Sequence, residues 1–341
     1  MKAIGFKKHL KIDDPESLID FEMKKPTAKG HDLLVKVNAV SVNPVDIGVR
    51  KGGHSVLKTP KAIGWDACGV VEEVGSKVSL FKPGDRIFYA GSFIRSGSDS
   101  EYQLVDERIV GHAPETLKDN EAAAMPLTSL TAYEALFEQM DLTWNQENNQ
   151  HKTILIINGA GGVGSVATQL AHLAGLTVIA TASRPDSIKW TQDHGADYVV
   201  NHREDLVKQV RKLGFKYVDY ILELKDLDGH WKEMCELIKP EGHIVSITEN
   251  HRPINLRLLT KKKAHFSWEW IYTKSYYQTD DMITQHDILD KIAQMLDSGK
   301  LRCTMTKSLT PLNATNLRKA HKLVESGHMT GKVVVSDWEN N

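Results

Sequence analysis

The sequence has few cysteines, no long apolar run and almost no net charge. Its three cysteines, Cys68, Cys235 and Cys303, lie far apart, which disfavours a disulfide framework and fits a reducing compartment. No stretch is long and apolar enough to suggest a membrane span or a signal peptide. Lysine and arginine number 43 against 44 acidic residues, which argues against nucleic acid or a membrane surface as a partner. We therefore expect a soluble, cytoplasmic protein.

The chain has two regions with different patterns, as expected for two domains in 341 residues. Up to about residue 125, short strand-like segments alternate with glycine and proline, which predicts a compact, irregular β-barrel. Residues 120–140 look helical, with Pro126 as an interruption. From residue 153, short apolar strands alternate with helices, the pattern of an α/β fold with a doubly wound parallel sheet. The C-terminal helix and strand fit either the sheet or the first domain.

The most informative stretch is residues 153–174, TILIINGAGGVGSVATQLAHLA. An apolar run typical of a buried strand leads into a glycine turn, and an amphipathic helix follows. The turn contains a G-x-G-x-x-G motif, in which glycine allows a pyrophosphate to approach the backbone at the helix N-terminus. This context predicts a dinucleotide site; the alternative is a tight turn that binds nothing. The residues concerned are Gly159, Gly161, Gly162, Val163 and Gly164.

The residues after the second strand of this region indicate which dinucleotide binds. An NAD site usually has an acidic residue there, about 20 residues after the glycines. Here Ser183 and Arg184 occupy the strand end, and the first acid is Asp186. A hydroxyl and a guanidinium favour the 2′-phosphate of NADPH. Alternatively, Ser183 caps a helix whose first residue is Pro185, and both interpretations can hold together.

Several motifs together resemble a known family. Residues 42–46 (VNPVD), 64–75 (GWDACGVVEEVG) and 81–85 (FKPGD) precede the glycine turn in this order. With that turn they resemble the medium-chain dehydrogenase/reductase superfamily, in its quinone oxidoreductase (zeta-crystallin-like) branch. Residues 267–270 (SWEW) and 331–334 (GKVV) are similar to the zinc-type alcohol dehydrogenase-like subgroup. The resemblance covers nearly the whole chain.

The resemblance implies a GroES-like catalytic domain at 1–126 and 272–341, and a Rossmann NADPH-binding domain at 127–271. It also implies a cleft between them for the nicotinamide and, usually, a homodimer. The expected cofactor contacts outside the glycine turn include Asn43, Thr131, His202 and Lys332, with Ser246 in the fifth predicted strand. For two of them a simpler interpretation exists, because Asn43 before Pro44 fits a turn and His202 fits a helix start.

The resemblance also raises the question of a metal. By motif, Asn43 matches the first cysteine of zinc-dependent relatives, Trp65 and Asp66 match the histidine and glutamate of their G-H-E motif, and Leu127 lies near their later cysteine. Amide, indole and alkyl groups do not replace thiolate and imidazole around Zn²⁺. Residues 88–110 also lack the four cysteines of a structural zinc lobe. We therefore expect no zinc.

Without a Lewis acid, the expected activity is NADPH-dependent hydride transfer to a quinone or an α,β-unsaturated carbonyl. The alternatives are a zinc-dependent alcohol dehydrogenase and a non-catalytic NADPH-binding protein. No general acid is evident, which leaves His54 or solvent as the proton donor. The substrate-cleft candidates are Asn43, Asp46, Arg50, His54 and Trp65.

Two further features have open interpretations. An Asp46–Arg50 pair shapes the substrate site or is a surface salt bridge. An aromatic stretch after the fifth strand lines the acceptor pocket or contributes to a dimer interface or to core packing. Its members are Trp268, Trp270, Tyr272, Tyr276 and Tyr277.

Overall fold

The computed structural model describes residues 1–339, and these residues form two compact units. The first unit contains residues 1–130 and the chain from Tyr272 onward, and the second is Thr131–Ile271. The first boundary lies a few residues after the one predicted at 126. No helix in the described part of the chain has both the length and the apolar character that a membrane span requires.

The described part of the chain contains sixteen strands and twelve α-helices. The strands of the first unit are β1 (Lys2–Lys8), β2 (Ile19–Glu22), β3 (Asp32–Ser41), β4 (Val56–Ala62), β5 (Asp66–Val74), β6 (Arg86–Tyr89), β7 (Tyr102–Asp106), β8 (Val110–His112), β15 (Met305–Leu309) and β16 (Lys332–Ser336). Those of the second are β9 (Thr153–Ile157), β10 (Thr177–Thr181), β11 (Tyr198–Val200), β12 (Val218–Glu223), β13 (Ile238–Ser246) and β14 (His265–Trp268). The α-helices are α1 (Pro44–Lys51), α2 (Asp119–Ala123), α3 (Pro126–Tyr133), α4 (Gln146–Asn149), α5 (Gly162–Leu173), α6 (Pro185–Asp193), α7 (Leu206–Lys212), α8 (Leu227–Leu237), α9 (Arg257–Thr260), α10 (Tyr272–Tyr277), α11 (Thr284–Asp297) and α12 (Ala314–Glu325).

The first unit is built around β3. Its sheet has the order β15-β16-β3-β5-β6-β8, with β7 also paired to β3, and β2-β1-β4 form a second, smaller sheet. Most residues of β3 are buried, as expected for a strand covered on both faces. The C-terminal strand β16 runs antiparallel to β3, with Val334 opposite Ser41. The tail therefore belongs to the first unit and not to the sheet of the second.

The second unit contains the predicted doubly wound parallel sheet, which the structure confirms. Its strand order is β11-β10-β9-β12-β13-β14, and the pairs are parallel. All residues of the central strand β9 are buried, in agreement with its continuous apolar run. The strand order reverses between β9 and β12, and ligands of such sheets bind outside the carboxyl ends of the strands at this switch point.

Two prolines, Pro126 and Pro185, are the first residues of helices. Helix α2 ends at Ala123 and Pro126 is the first residue of α3, so the predicted interruption of the helical region at Pro126 is confirmed. Proline fits this position because the first helical residue needs no amide hydrogen bond. Pro185 begins α6 as predicted, but the residue that caps this helix is Arg184 and not Ser183. The capping role assigned to Ser183 was therefore wrong.

Candidate functional site

The glycine turn after β9 is fixed to the end of the neighbouring strand β10. Asn158 begins the turn with a φ of 72°, and its amide donates to Thr181 Oγ1 at 2.8 Å. The Gly159 amide donates to the carbonyl oxygen of Thr181 at 3.0 Å. Two consecutive hydrogen bonds to one residue therefore set the direction in which the chain leaves the sheet.

Two glycines of the motif are required by close packing. A Cβ atom on Gly164 would lie 2.2 Å from the Asn158 carbonyl oxygen, so α5 approaches the strand as closely as the motif predicts. A Cβ atom on Gly159 would lie 2.8 Å from that of Ala180. The absence of a side chain at Gly159 therefore allows close packing against β10 as well as the sharp turn.

The N-terminus of α5 has no side-chain cap. Its N-cap residue is Gly161, and no side chain accepts a hydrogen bond there. Gly162 and Val163, the first residues of the helix, are partly exposed. The first amides of an α-helix have no intrahelical acceptor, and the helix dipole adds positive potential there. This end of α5 therefore suits a diphosphate.

Positively charged groups surround His202, in the loop after β11. Its Nδ1 lies 3.3 Å from Thr181 Oγ1, the hydroxyl that also binds the glycine turn. Burial lowers the pKa of His202, and the nearby His230, Arg203, Lys225 and Arg184 lower it further. These groups come from the carboxyl ends of β10, β11 and β12 and from α8. The sequence had indicated Ser183, Arg184 and His202, but not Lys225.

A buried carboxylate at the end of β12 was missed in the sequence. Glu223 is fully buried, and its Oε1 accepts from the amides of Lys225 and Asp226. Its Oε2 lies 2.8 Å from the hydroxyl of Ser246 and also accepts from Thr248. Glu223 therefore holds the loops after β12 and β13 together. The signal was an acidic residue inside an otherwise apolar strand end.

This arrangement affects the role expected for Ser246. Its hydroxyl is buried, interacts with Glu223, and accepts from the Thr248 amide at 3.1 Å. The hydroxyl is therefore occupied inside the second unit. Thr131, another expected cofactor contact, is a buried residue of α3 at the start of this unit.

In the first unit, polar side chains converge on Asp66 at the start of β5. The Asp66 carboxylate is fully buried. Its Oδ2 accepts from Ser41 at 2.7 Å, from Asn43 Nδ2 at 2.8 Å and from Lys332 Nζ at 3.1 Å. Its Oδ1 accepts from the backbone amide of Leu127 at 2.7 Å. Four donors therefore hold this carboxylate, and we call these residues the Asp66 cluster.

Lys332 brings the positive charge into the Asp66 cluster. Its side chain is 4% exposed, and besides Asp66 its ammonium donates to Asn43 Oδ1 and to the carbonyl oxygen of Val42. Three acceptors match the three protons of an ammonium. The group is therefore fully hydrogen-bonded inside the first unit.

The donor set of this cluster does not fit a zinc ion. Asn43, Asp66 and Leu127, which match ligand or near-ligand positions of zinc-dependent relatives, do come together here. They offer an amide, a backbone amide and a carboxylate that is already paired with an ammonium. Between residues 1 and 339, no three histidine, cysteine, aspartate or glutamate side chains form a group that could hold a metal. Zinc sites need thiolate or imidazole ligands in numbers that this cluster lacks.

Asp46 lies next to this cluster, at the N-terminus of α1. Its Oδ2 accepts from the Asn43 amide at 2.6 Å, while Asn43 is the N-cap residue before Pro44. The turn interpretation of Asn43 and its participation in the cluster are therefore compatible. Asp46 is 1% exposed, and this burial raises the pKa of its carboxyl to about 7.

The predicted Asp46–Arg50 pair was wrong. Arg50 is fully buried, and its guanidinium donates to Glu325 at 2.7 Å and to the carbonyl oxygen of Leu10 at 2.5 Å. Its acidic partner therefore comes from the end of α12. His54 is exposed in the segment after α1 and lies outside the Asp66 cluster, so it gains no support as a proton donor from this arrangement.

Three aromatic rings pack together in the first unit beside the Asp66 cluster. Trp65 stacks on Phe93 with the ring centroids 4.7 Å apart. Tyr272 meets both rings edge-on, at 6.1 Å from Trp65 and 4.6 Å from Phe93. Burial raises the pKa of the Tyr272 hydroxyl, and the charges of Asp46 and Asp66 raise it further.

The five aromatic residues between Trp268 and Tyr277 therefore do not share one environment. Tyr272 is buried at 3% exposure, and it is the member that packs against Trp65. The other four aromatic residues of the stretch have 42% to 70% of their surface exposed: Trp268, Trp270, Tyr276 and Tyr277.

Comparison with known proteins supports this architecture. An alcohol dehydrogenase GroES-like domain matches residues 29–115, and a zinc-binding dehydrogenase domain matches residues 194–335. A zinc-type alcohol dehydrogenase-like protein of Staphylococcus aureus (strain MSSA476) is 44% identical over 336 residues, which cover 98% of this chain and all of the relative.

Solved structures show the same fold. A Rhizobium etli CFN 42 protein assigned to the zinc-dependent alcohol dehydrogenases is 44% identical, with a TM-score of 0.94 over 100% of this chain and 99% of that one. The quinone oxidoreductase from Coxiella burnetii is 27% identical, with a TM-score of 0.79 over 98% of this chain and 99% of that one. The chain thus belongs to the medium-chain dehydrogenase/reductase superfamily, among its zinc-type alcohol dehydrogenase-like proteins, and is an oxidoreductase of a family that binds nicotinamide cofactors.

Proposed function

We propose that this protein is an NADPH-dependent, zinc-independent oxidoreductase that transfers a hydride to a quinone or an α,β-unsaturated carbonyl. The observation that carries the proposal is the Asp66 cluster, in which the Asn43 side chain and the Leu127 backbone amide stand at or near positions that match zinc ligands, and the Lys332 ammonium is paired with Asp66. It is supported by the likeness to a quinone oxidoreductase at 27% identity.

For the cofactor, we assign the pyrophosphate to the uncapped N-terminus of α5, at Gly161, Gly162, Val163 and Gly164. The amides there lack intrahelical acceptors, and glycine leaves the backbone accessible. When bound, NADPH supplies the hydride. The chain contributes the position of the reacting carbon and the exclusion of water.

The 2′-phosphate belongs, in this proposal, beside the positive groups around His202. Arg184 and Lys225 are among the cations that lower the pKa of this histidine, and Ser183 lies next to Arg184 with a hydroxyl that can donate. No carboxylate occupies the end of β10, where it would repel a phosphate. The expected contacts of Asn43, Thr131, Ser246 and Lys332 with the cofactor stay predictions.

The chemistry of the Asp66 cluster supports the proposed zinc independence. A divalent cation there would meet the Lys332 ammonium 3.1 Å from the one available carboxylate. A metal ion bound by this carboxylate would lie close to the ammonium and be repelled by it, and it would replace hydrogen bonds that the buried carboxylate now accepts. We therefore disfavour a zinc-dependent alcohol dehydrogenase.

For the acceptor, we assign the aromatic group of Trp65, Phe93 and Tyr272 as the surface against which a flat ring or conjugated enone packs. Phe93 is partly exposed, and the other two rings are buried behind it. Aromatic faces and edges offer contacts of this kind. The first unit would then place an apolar surface next to a fixed cation.

We also infer a homodimer and a cytoplasmic location. The outer strand β14 of the second unit is at the edge of the sheet, and its last residue, Trp268, is 45% exposed. An unpaired edge with an exposed aromatic residue is suited to association with another chain. The free cysteines Cys68, Cys235 and Cys303 are consistent with a reducing compartment.

The test is an NADPH oxidation assay with purified protein. The acceptors are 9,10-phenanthrenequinone and an α,β-unsaturated ketone, and each is run with a chelator and with added Zn²⁺. We expect turnover that neither addition changes. Activity that disappears on chelation and returns with zinc would contradict zinc independence. NADPH that binds but is never oxidised by either acceptor would favour a non-catalytic binding protein.

A further inference from the structure

His202 is a titratable group in direct contact with the hydroxyl that organises the glycine turn. Thr181 Oγ1 accepts a hydrogen bond from the Asn158 amide at 2.8 Å and lies 3.3 Å from His202 Nδ1. The hydroxyl proton is therefore available to Nδ1, which then acts as an acceptor. In this neutral form the proton of the imidazole is on Nε2, which has no hydrogen-bond partner among residues 1–339.

The surroundings of His202 disfavour a second proton. Burial is the largest cause of its lowered pKa, followed by His230, Arg203, Lys225 and Arg184. These groups come from α8, from the same loop, from the loop after β12 and from the N-cap of α6. Of these groups, His230 has an acidic partner, Glu233, whose Oε2 lies 2.9 Å from the His230 Nδ1. Burial and these positive groups together disfavour the protonated ring, so without a ligand the imidazole is neutral near pH 7.

A phosphate group would reverse this balance. A phosphate monoester carries a charge of about −1.5 to −2 at pH 7, since its second pKa is about 6. A nearby negative charge favours the protonated form of an imidazole. The His202 ring would then donate from both nitrogens, because Thr181 Oγ1 can also accept from Nδ1. The neutral ring offers one donor only.

We propose that His202 takes up a proton when the 2′-phosphate of NADPH binds, so that the discrimination between NADPH and NADH depends on pH. This inference rests on the proposed NADPH dependence and adds a mechanism to it. NADH lacks the 2′-phosphate and therefore offers no charge to stabilise the imidazolium. The preference for NADPH is expected to be strongest at the acidic end of the range in which the phosphate remains a dianion.

The direction and size of this pH dependence follow from the linkage between proton binding and NADPH binding. The pKa of His202 is lowered in the free protein and rises when the phosphate binds. Affinity for NADPH is therefore gained below the pKa of the complex and lost as the pH rises through it. One proton changes the dissociation constant by at most about tenfold per pH unit. Between about pH 6.5 and 8.5, we expect the ratio of the NADH to the NADPH dissociation constant to fall about three- to tenfold.

The experiment measures both dissociation constants across this range for the wild type and for His202→Gln. Glutamine keeps a hydrogen-bonding side chain of similar reach but has no group that titrates. We expect the ratio in the variant to be independent of pH. Thermal unfolding of the variant checks that it is folded. Calorimetry in two buffers with different ionisation enthalpies then counts the protons taken up, which we expect with NADPH and not with NADH.

The possible results separate this inference from the proposed function. Equal affinity for NADPH and NADH at every pH would contradict the proposed cofactor and the inference together. A clear preference for NADPH that does not change with pH would overturn only the proton uptake. A pH-dependent preference that persists in His202→Gln would also overturn it, because another group would then carry the proton.

Discussion

The ammonium of Lys332 lies 3.1 Å from the carboxylate of Asp66, and the two side chains are 4% and 0% exposed. The two residues begin strands β16 and β5, which flank β3 on opposite sides. Ser41 of β3 is paired with Asp66 on one side and with Val334 on the other. An ion pair over the end of one strand thus joins the C-terminal tail to the first part of the chain.

Removal of Lys332 is expected to destabilise the protein strongly. Lys332→Met leaves the Asp66 charge buried with no cation, and loss of one partner of a buried pair costs about 3–5 kcal/mol. Urea denaturation measures the change. The double variant Lys332→Met with Asp66→Asn should recover a large part of it, because the uncompensated charge is gone.

The control for this prediction is Lys322→Met. Lys322 forms a pair with Asp13 at 2.6 Å, but both side chains are exposed. Exposed pairs contribute little because water screens them. A loss of stability in Lys322→Met similar to that in Lys332→Met would contradict the importance of burial.

Reversal of the charge at Arg184 is expected to weaken NADPH use. Arg184→Glu places a carboxylate at the end of β10, where it repels a 2′-phosphate. We expect the Michaelis constant for NADPH to rise at least about tenfold, with a much smaller effect on NADH. Steady-state kinetics with both cofactors measure this. The control Lys189→Glu changes an exposed lysine of the same helix, and unchanged NADPH kinetics in Arg184→Glu would end the assignment.

Gly164 is expected to tolerate no side chain. A Cβ atom there would lie 2.2 Å from the Asn158 carbonyl oxygen, so Gly164→Ala must displace α5 from β9. We expect a loss of about 1–3 kcal/mol in stability and weaker NADPH binding. The control is Gly48→Ala in α1, where a Cβ atom meets nothing within 4 Å. That change should leave stability the same or raise it by up to about 1 kcal/mol.

Asp46 is expected to make the protein less stable as the pH rises from about 4 to 7. Its pKa is raised from 3.8 to about 7 by burial. The stabilising contribution of the neutral carboxyl is therefore complete below the pKa of the unfolded chain. It is lost as the pH rises through the pKa of the folded protein. Its full size is of the order of 4 kcal/mol. Asp46→Asn should flatten the stability profile in this window, and a profile that is the same as that of the wild type would exclude the effect.

His321 is expected to make the protein less stable as the pH falls. Burial lowers its pKa from 6.5 to about 3, with a further contribution from Arg50. The neutral ring therefore contributes stability that is present above about pH 6.5 and is lost as the pH falls towards 3. Within residues 1–339, neither ring nitrogen has a hydrogen-bond partner. His321→Leu should reduce the acid sensitivity without a loss of stability at neutral pH.

Thermal unfolding of the wild type and of His321→Leu between about pH 3.5 and 7 tests this prediction. The control is His54→Leu, which changes an exposed histidine of the same unit. Acid sensitivity that survives in His321→Leu would show that other groups carry it.

Features that depend on residues close together in the chain could be predicted from the amino-acid sequence. The apolar run of β9, the glycine turn and the amphipathic α5 are adjacent in the chain, so their pattern predicted the strand, the turn and the helix. The alternation after residue 153 predicted the parallel sheet in the same way. Periodicity and turn chemistry act over a few residues, and these features are therefore readable without a structure.

The partners of the buried charges could not be predicted in this way, because they depend on the tertiary fold. Arg50 pairs with Glu325 and not with Asp46, which lies one helical turn away. Glu223 joins two loops, and Lys332 meets Asp66 across 266 residues of sequence. A charge is paired by whichever group the packing of strands and helices brings within hydrogen-bond distance. That distance is set by contacts between remote segments, on which local sequence patterns carry no information.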